Sequence, residues 1–277
     1  MPPVGKRRSQ RTTCRKNSNN AMPAKAKRPK KSESGSVEAP AASAPDGPST
    51  TAAPSAPDSV SLSSPSLKHF LRVYKGLEDY HIPLFAAIKS FAPVDTVLYP
   101  GSDKHLTASL LFRKVTYVDF NVKMKPFFTD PALLQWISSH KMYDEESEIS
   151  FVCQNFTKPI PGCGVGSVDL LISLSAGIVS ESCLKYLKPG GLFLAGDAHS
   201  DAKIAVCNKQ LQLLGYYSKD DENFVSDPAQ LADHFRTTKE NKLITLAQAK
   251  HCAQNPRKKW GLKMKVEALF YLFKKRD

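Results

Sequence analysis

Apolar residues fall into short runs, separated by turn residues and helical patterns, in the larger C-terminal part of the chain. The run at 97–99 stops at Pro100-Gly101, and a second run covers 115–120. Runs this short, ended by turn residues, are typical of strands that are buried on both faces. Between them, leucines fall on one side of a helical pattern over 106–112. The segment therefore predicts a strand, a tight turn, a short helix and a second strand.

The rest of the pattern predicts five further strands and five further helices. Strand and helix alternate, which favours a parallel sheet that is covered on both faces. Two late strands after the parallel run predict an antiparallel closing hairpin at the edge of the sheet. The chain thus predicts an α/β fold with a seven-stranded, mostly parallel sheet. The further strands are predicted at 148–156, 167–174, 191–195, 211–218 and 266–273, and the helices at 66–77, 82–91, 131–140, 179–187 and 228–235.

The N-terminal quarter has a different composition. No aromatic residue precedes Phe70, and the segment 32–66 consists almost entirely of Ser, Ala, Pro, Thr and a few acids. Such a composition cannot bury enough apolar surface to offset the conformational entropy of the chain. We therefore expect a disordered tail over 1–65, followed by one folded domain over 66–277.

Charge is concentrated in that tail. The chain carries 39 basic and 26 acidic residues, a net charge of +13. Residues 1–65 hold 11 basic and four acidic residues, a net +7, whereas residues 66–277 hold 28 and 22, a net +6. The basic cluster at 25–31 resembles a nuclear localisation signal, and together with the cluster at 6–8 it could act as a bipartite one.

Three other interpretations of the basic tail stay open. It could be an arm that binds nucleic acid without sequence preference through phosphate contacts. It could also be an organellar transit peptide, since it is rich in Arg and Ser and poor in acids. The last alternative is a charged tail without a specific function. We expect a nuclear or cytoplasmic protein, with an organellar address as the alternative.

Cysteine usage and hydropathy point to a soluble intracellular protein. None of the six cysteines forms a C-x-x-C pair, so we expect reduced thiols and no metal site. No apolar run approaches the roughly 18–20 residues of a membrane span, and no secretory signal follows the start. We therefore expect no membrane partner.

Gly101 and Asp119 have the spacing of a nucleotide-binding unit. A glycine after the first strand lets the backbone approach a ligand, and an acid that ends the second strand can accept hydrogen bonds from two ribose hydroxyls. The two residues are 18 positions apart, close to the roughly 20 expected. A dinucleotide fingerprint has three glycines, whereas Gly101 stands alone. An ordinary strand–helix–strand unit without a ligand is therefore an equal alternative.

Four segments resemble the Rossmann-like class I S-adenosylmethionine-dependent methyltransferases. They are VLYPGS at 97–102, VTYVDFN at 115–121, SVDLLISLSAG at 167–177 and LKYLKPGGLFLAGD at 184–197. The last is the most specific, because a helix that ends in L-K-P-G-G before the fifth strand is frequent in that family. The resemblance spans about residue 66 to the end. It implies a three-layer α/β/α fold, S-adenosylmethionine as cofactor and an unknown methyl acceptor as partner.

The resemblance also implies roles for individual residues. Gly101 lies in the cofactor loop, Asp119 holds the ribose hydroxyls, and the Asn155 oxygen faces the adenine amino group. The family's first loop usually reads E/D-x-G-x-G-x-G, whereas this chain has Tyr99-Pro100-Gly101-Ser102-Asp103 there. The fourth strand lacks the D/N-P-P-Y/F/W signature of enzymes that methylate exocyclic amines of bases or glutamine amides, which argues against that class of acceptor. The implied cofactor-binding residues are Tyr99, Pro100, Gly101, Ser102, Asp119, Asn155, Ser173 and Ser175.

His199 is the one candidate for a catalytic side chain. It lies in the cluster Asp197-Ala-His199-Ser-Asp201 after the fifth strand, where ligands of α/β proteins bind. It could act as a general base, although a helix-capping loop with a solvated histidine explains the same residues.

Two functions from different classes follow from these patterns. The first is a methyltransferase of unknown acceptor. The second is a catalytically silent methyltransferase-like module that binds a partner or a nucleic acid. A nicotinamide-dependent enzyme is a third hypothesis, against which the lone Gly101 and the closing hairpin both weigh.

Overall fold

The computed structural model describes residues 64–77, 81–255 and 262–277. These residues all belong to one compact unit of the chain. The predicted tail, with both basic clusters, lies outside the described residues apart from its last two positions, and its predicted roles stay predictions.

The described residues form a sheet of eight strands, in the order β3-β2-β1-β4-β5-β8-β6-β7. Strands β1 to β5 pair in parallel, so their carboxyl ends meet at one edge of the sheet. Strand β8 is antiparallel to both of its neighbours, and β7 is antiparallel to β6. The strands are β1 (Thr96–Pro100), β2 (Lys114–Asp119), β3 (Glu148–Cys153), β4 (Val168–Ser173), β5 (Leu187–Gly196), β6 (Leu211–Ser218), β7 (Asn223–Val225) and β8 (Phe270–Lys275).

This sheet confirms the predicted α/β fold class with a mostly parallel sheet and an antiparallel hairpin. The three-residue strand β7 is an eighth strand that the prediction lacks, because it is too short to show an alternating pattern. Of the two predicted late strands, β8 lies between β5 and β6. The run 270–273 is buried on both faces and could not stand at a solvated edge.

Helices cover both faces of the sheet. α1, α2 and α4 pack on one face, against residues such as Tyr99 and Tyr117, while α5, α6 and α8 pack on the other, against Leu98 and Phe193. No helix of the described segments is long and apolar enough to cross a membrane. The helices are α1 (Pro65–Leu77), α2 (His81–Lys89), α3 (Lys125–Phe128), α4 (Pro131–His140), α5 (Val179–Cys183), α6 (Asp201–Val206), α7 (Pro228–Leu231) and α8 (Leu246–Gln254).

The helix predicted over 106–112 is a single 3-10 turn, Thr107–Leu110. The buried hydroxyl of Tyr117 explains the difference. It accepts a hydrogen bond from the Ser109 N–H at 3.1 Å and donates to the Leu106 carbonyl at 3.2 Å. The Ser109 N–H also donates to the Leu106 carbonyl at 2.9 Å, so a side chain from β2 bonds both partners of a backbone hydrogen bond of the 3-10 turn.

Two other helix predictions were too long. The helix predicted over 179–187 ends at Cys183, continues as a 3-10 turn and passes into β5 at Leu187. The helix predicted over 228–235 ends at Leu231. Phe235 has a φ of 59°, which a right-handed helix does not contain.

Candidate functional site at the carboxyl edge of the sheet

The turn after β1 needs a glycine at position 101. Gly101 has a φ of +63°, and its N–H donates to the Val118 carbonyl of β2 at 2.7 Å. A Cβ on Gly101 would overlap the Cβ of Ala176 and lie 3.2 Å from its Cα. The turn after β1 therefore touches the loop after β4 directly, which only a residue without a side chain permits. Ser102 is buried behind this turn.

Tyr99 and Pro100 are buried and support the turn from the core side. The Tyr99 hydroxyl lies 2.7 Å from Nδ1 of His105, whose backbone N–H donates to the Ser102 carbonyl at 3.0 Å. Burial, with the charge of His81 adding to it, lowers the pKa of His105 to about 3. The imidazole is therefore neutral at physiological pH and serves as a fixed support. No pattern in the sequence indicates this role of His105.

Asp119 lies beside the glycine turn at the end of β2. Its Oδ1 accepts a hydrogen bond from the Asn121 N–H at 2.9 Å, and its Oδ2 accepts one from the Asp103 N–H at 3.3 Å. A carboxylate has about four lone-pair positions, so about two remain for other donors. The half-buried side chain is thus held in place by backbone groups while it keeps the capacity to bind a diol.

Phe120 is a further candidate that sequence analysis did not single out. Its side chain is 75% exposed, although it follows the buried strand β2 and adjoins Asp119. Exposed aromatic rings offer a face on which a nucleobase can stack. The signal in the sequence was an aromatic residue directly after the acid that ends β2.

Asn155 lies in the exposed loop after β3. Its Oδ1 accepts hydrogen bonds from the N–H and the hydroxyl of Thr157, at 3.0 and 2.9 Å. These two bonds use both lone pairs of the oxygen. The amide nitrogen is therefore the part of this side chain with hydrogen-bonding capacity for a ligand.

The two serines at the end of β4 have different surroundings. Ser173 is buried, and its hydroxyl donates to Oδ2 of Asp201 at 2.6 Å. The same carboxylate accepts the backbone N–H groups of Val179 and Ser180, so that it ties β4, α5 and α6 together. Burial raises the pKa of Asp201, while the hydrogen bond from Ser173 and those from Ser180 and Val179 lower it. Ser175, in contrast, is exposed at the sheet edge.

A cavity of about 440 Å³ opens where the ends of β4 and β5 meet the segment before β8. Gly196 makes this junction possible, because a Cβ there would overlap the carbonyl of Leu174. The cavity is lined by Leu174, Ser175, Asp197, Ala198, Glu267, Ala268, Leu269 and Phe270.

Asp197 and Lys203 form an almost fully buried ion pair beside this cavity, through Oδ2 of the carboxylate. Glu267 lies 3.6 Å from the same Lys203 nitrogen and is 60% exposed. Burial raises the pKa of Asp197, while the charge of Lys203 and its hydrogen bond oppose this rise. The Asp197–Lys203 pair could not be identified from sequence, because nothing in the pattern shows that both side chains turn inward.

His199 is exposed, in the short turn between β5 and α6. The Ser200 N–H closes this turn by donating to the Asp197 carbonyl at 3.1 Å. The residues that line the cavity include Asp197 and Ala198 but not His199. Its proposed role as a base stays a prediction.

The glycine turn and the cavity share one loop. Ala176 contacts Gly101, while the two preceding residues, Leu174 and Ser175, line the cavity. A ligand at the turn and a ligand in the cavity would therefore be neighbours. In the described part of the chain, no group of three or more His, Cys, Asp or Glu side chains is arranged to hold a metal ion.

No protein-family model matches the chain. No curated protein matches it either. Solved structures similar to it include a SAM-dependent methyltransferase from Methanosarcina mazei, with 12% identity, 68% of this chain and 96% of that chain covered, and a TM-score of 0.35. A SAM-dependent methyltransferase from Thermotoga maritima has 8% identity, with 76% of this chain and 99% of that chain covered, and a TM-score of 0.33. The plantazolicin methyltransferase has 12% identity, with 76% of this chain and 90% of that chain covered, and a TM-score of 0.38. All three likenesses are remote, and the fold is assigned from the strand order of the sheet.

Proposed function

We propose that the protein is an S-adenosylmethionine-dependent methyltransferase. The observation that carries the proposal is the Asp119 carboxylate beside the Gly101 turn, fixed by two backbone N–H groups and still able to accept two hydrogen bonds. Asp119 ends β2, and the Gly101 turn follows β1, the neighbour of β2 in the sheet. On its other side β1 pairs with β4, and the chain continues from β1 towards β2 but from β4 towards β5, in opposite directions across the sheet. Ligands of open α/β sheets bind at such a point, outside the carboxyl ends of the strands.

The residues present fit the cofactor in a consistent way. Asp119 would hold the two ribose hydroxyls, and the exposed ring of Phe120 would stack on the adenine. The amide nitrogen of Asn155 could donate to a ring nitrogen of the base. The backbone of the Gly101 turn leaves room for the amino-acid end, because no side chain projects there.

The protein's part in the chemistry is mainly alignment. The cofactor, when bound, supplies an activated methyl group on a sulfonium, so the nucleophile needs correct positioning more than a strong catalyst. The loop that joins the turn to the cavity fixes the distance between the two binding regions. The hydrogen bond between the buried Tyr99 and the half-buried His105 supports the turn.

Titration calorimetry of the full chain with S-adenosylhomocysteine tests the proposal. We expect micromolar binding, about 8 kcal/mol of binding free energy. A folded sample that gives neither heat nor thermal stabilisation would contradict the proposal. That result would favour the silent binding module instead.

A further inference from the structure

We propose that the cavity at the ends of β4 and β5 binds the methyl acceptor, and that this acceptor carries a protonated aliphatic or aralkyl amine. The inference rests on the proposed function and adds the chemical class of its substrate. Three features of the cavity support it: the charge of its lining, the state of Asp197 and the shape of its apolar walls.

The lining of the cavity is acidic in a chain that is basic as a whole. Asp197 and Glu267 contribute two carboxylates, and Ser175 contributes a hydroxyl. The described lining residues include no lysine, arginine or histidine. Lys203, behind the wall, neutralises one of the two carboxylate charges. The remaining negative charge favours a cation and disfavours an anion.

Asp197 has an unused acceptor. Its Oδ2 pairs with Lys203, but its Oδ1 is buried and accepts no hydrogen bond from the described residues. A buried carboxylate oxygen without a donor is energetically costly, and such an atom in a native structure calls for a partner. An ammonium group has three donors and the complementary charge. A small shift of the residues that line the cavity would let it donate a hydrogen bond to Oδ1 of Asp197.

The apolar walls select an organic amine over the amino-acid end of the cofactor. Leu174, Leu269 and Phe270 give the cavity room for an aliphatic or aromatic body next to the charged group. The amino-acid end of the cofactor is a zwitterion. Its carboxylate would meet Asp197 and Glu267 with no lining cation to compensate, so it gains little from this cavity.

The cavity also adjoins the Gly101 turn, where we propose that the cofactor binds. Leu174 and Ser175 line it, and Ala176, the next residue, contacts the Gly101 turn. A nitrogen held at the cavity mouth is therefore next to the region that we propose for the methyl donor. The bound ammonium first gives one proton to the free Oδ1 of Asp197, and the lone pair that this exposes then forms the N–C bond as the bond between the methyl group and sulfur breaks. The exposed Ser175 hydroxyl lies between the two regions and can accept a hydrogen bond from the amine.

Three isosteric probes test the inference on the full chain without cofactor. They are 2-phenylethylamine, 2-phenylethanol and phenylacetate, with dissociation constants measured by ligand-observed NMR titration at pH 7. We expect the amine to bind about tenfold more tightly than the alcohol, and phenylacetate to bind most weakly. Equal affinities for amine and alcohol would overturn the inference.

Variants assign the preference to residues. Asp197→Asn keeps the shape of the side chain and should reduce the amine-to-alcohol ratio about tenfold, to near one. Glu267→Gln, at an exposed position, should reduce it a few-fold without risk to folding. Asp233→Asn removes an exposed carboxylate that pairs with Lys265 elsewhere and should leave the ratio unchanged. A ratio that is unchanged in both Asp197→Asn and Glu267→Gln would overturn the inference.

A last comparison separates the two sources of an ammonium group. S-adenosylhomocysteine carries the amino-acid end, whereas 5′-methylthioadenosine lacks it. We expect Asp197→Asn to leave the affinity for both nucleosides unchanged. Weaker binding of S-adenosylhomocysteine alone would assign Asp197 to the cofactor and overturn the acceptor role. Amine preference in a protein that binds neither nucleoside would contradict the proposed function, and the acceptor role would fall with it.

Discussion

The backbone of Gly101 touches the side chain of Ala176, and this contact joins the turn after β1 to the loop after β4. The two segments belong to neighbouring parallel strands but lie 75 positions apart in the chain. Their contact fixes the relative position of the proposed cofactor region and the cavity. The packing of these two loops therefore determines the geometry of the candidate site.

Gly101→Ala should destabilise the protein by about 2–4 kcal/mol. About 1–2 kcal/mol comes from the positive φ and the rest from overlap with Ala176. Adding Ala176→Gly to this variant should recover the unfolding free energy that the overlap costs. It should leave the cost of the positive φ unchanged. Urea unfolding of the two single variants and the double variant measures both parts. Purely additive free energies would contradict the contact.

Ser173→Ala should lower the stability of the fold, whereas Ser175→Ala should leave it almost unchanged. The Ser173 hydroxyl bonds the buried Asp201 carboxylate, so its loss should cost about 1–3 kcal/mol of unfolding free energy. We expect affinity for S-adenosylhomocysteine to stay unchanged in that variant, provided the sample is folded. Ser175 is exposed, and its substitution should leave stability within about 0.5 kcal/mol. Chemical denaturation and calorimetry on both variants separate these effects.

His105 should make the protein less stable as the pH falls. Its pKa is about 3 in the folded chain, where burial lowers it, against 6.5 for the free side chain. Its contribution is therefore fully present above about pH 6.5 and declines as the pH falls from there towards 3, by at most about 1.4 kcal/mol per pH unit.

His105→Asn should weaken this pH dependence, because asparagine does not titrate but can still bond the Tyr99 hydroxyl. Tyr99→Phe is the matched control. It removes the hydrogen bond but keeps the imidazole, so it should lower stability while the slope between pH 5 and pH 7 stays. Equal slopes for wild type and His105→Asn in urea unfolding would show that another group titrates.

Asp169 should protect the fold against acid at a lower pH. Burial raises the pKa of Asp169, but hydrogen bonds from Lys188, Thr96 and Asp95 outweigh it and lower the value to about 2, from 3.8. Its stabilisation is present above about pH 4 and is lost as the pH falls through 2. Asp169→Asn should cost about 1–2 kcal/mol at pH 7, a modest value because the Lys188 side chain is 43% exposed. The difference from wild type in denaturant midpoint should shrink between pH 5 and pH 2.5. A constant difference would contradict the assignment.

The fold could be predicted from sequence where local pattern decides the structure. Short apolar runs and the Asp130–Pro131 start of α4 are signals that nearby residues produce. The sharp stop expected at 188–191 lies inside β5 instead. The 3-10 turn at 107–110 could not be predicted, because the Tyr117 hydroxyl that bonds its Ser109 N–H and the Leu106 carbonyl belongs to the next strand. The interior position of β8 also depends on tertiary burial.

Some residues of the candidate site could be predicted from the sequence, and others could not. Gly101 and Asp119 could be identified because a strand–turn–strand unit fixes their spacing in the chain. The Asp197–Lys203 pair and the Ser173–Asp201 bond join residues whose inward orientation only the packed structure reveals. Sequence spacing thus indicated the region that we propose for the cofactor, whereas the cavity with its two carboxylates required the fold.

The affinity of the Asp119→Ala variant for S-adenosylhomocysteine tests the proposed function most directly. Loss of both ribose hydrogen bonds should weaken binding about 30-fold or more, about 2 kcal/mol. Asp144→Ala, an exposed acid on the loop before β3, is the control and should bind as the wild type does. We expect micromolar binding by the wild type and the control, and a dissociation constant at least about 30-fold larger for Asp119→Ala. Equal binding by all three folded proteins would contradict the cofactor site at Gly101 and Asp119.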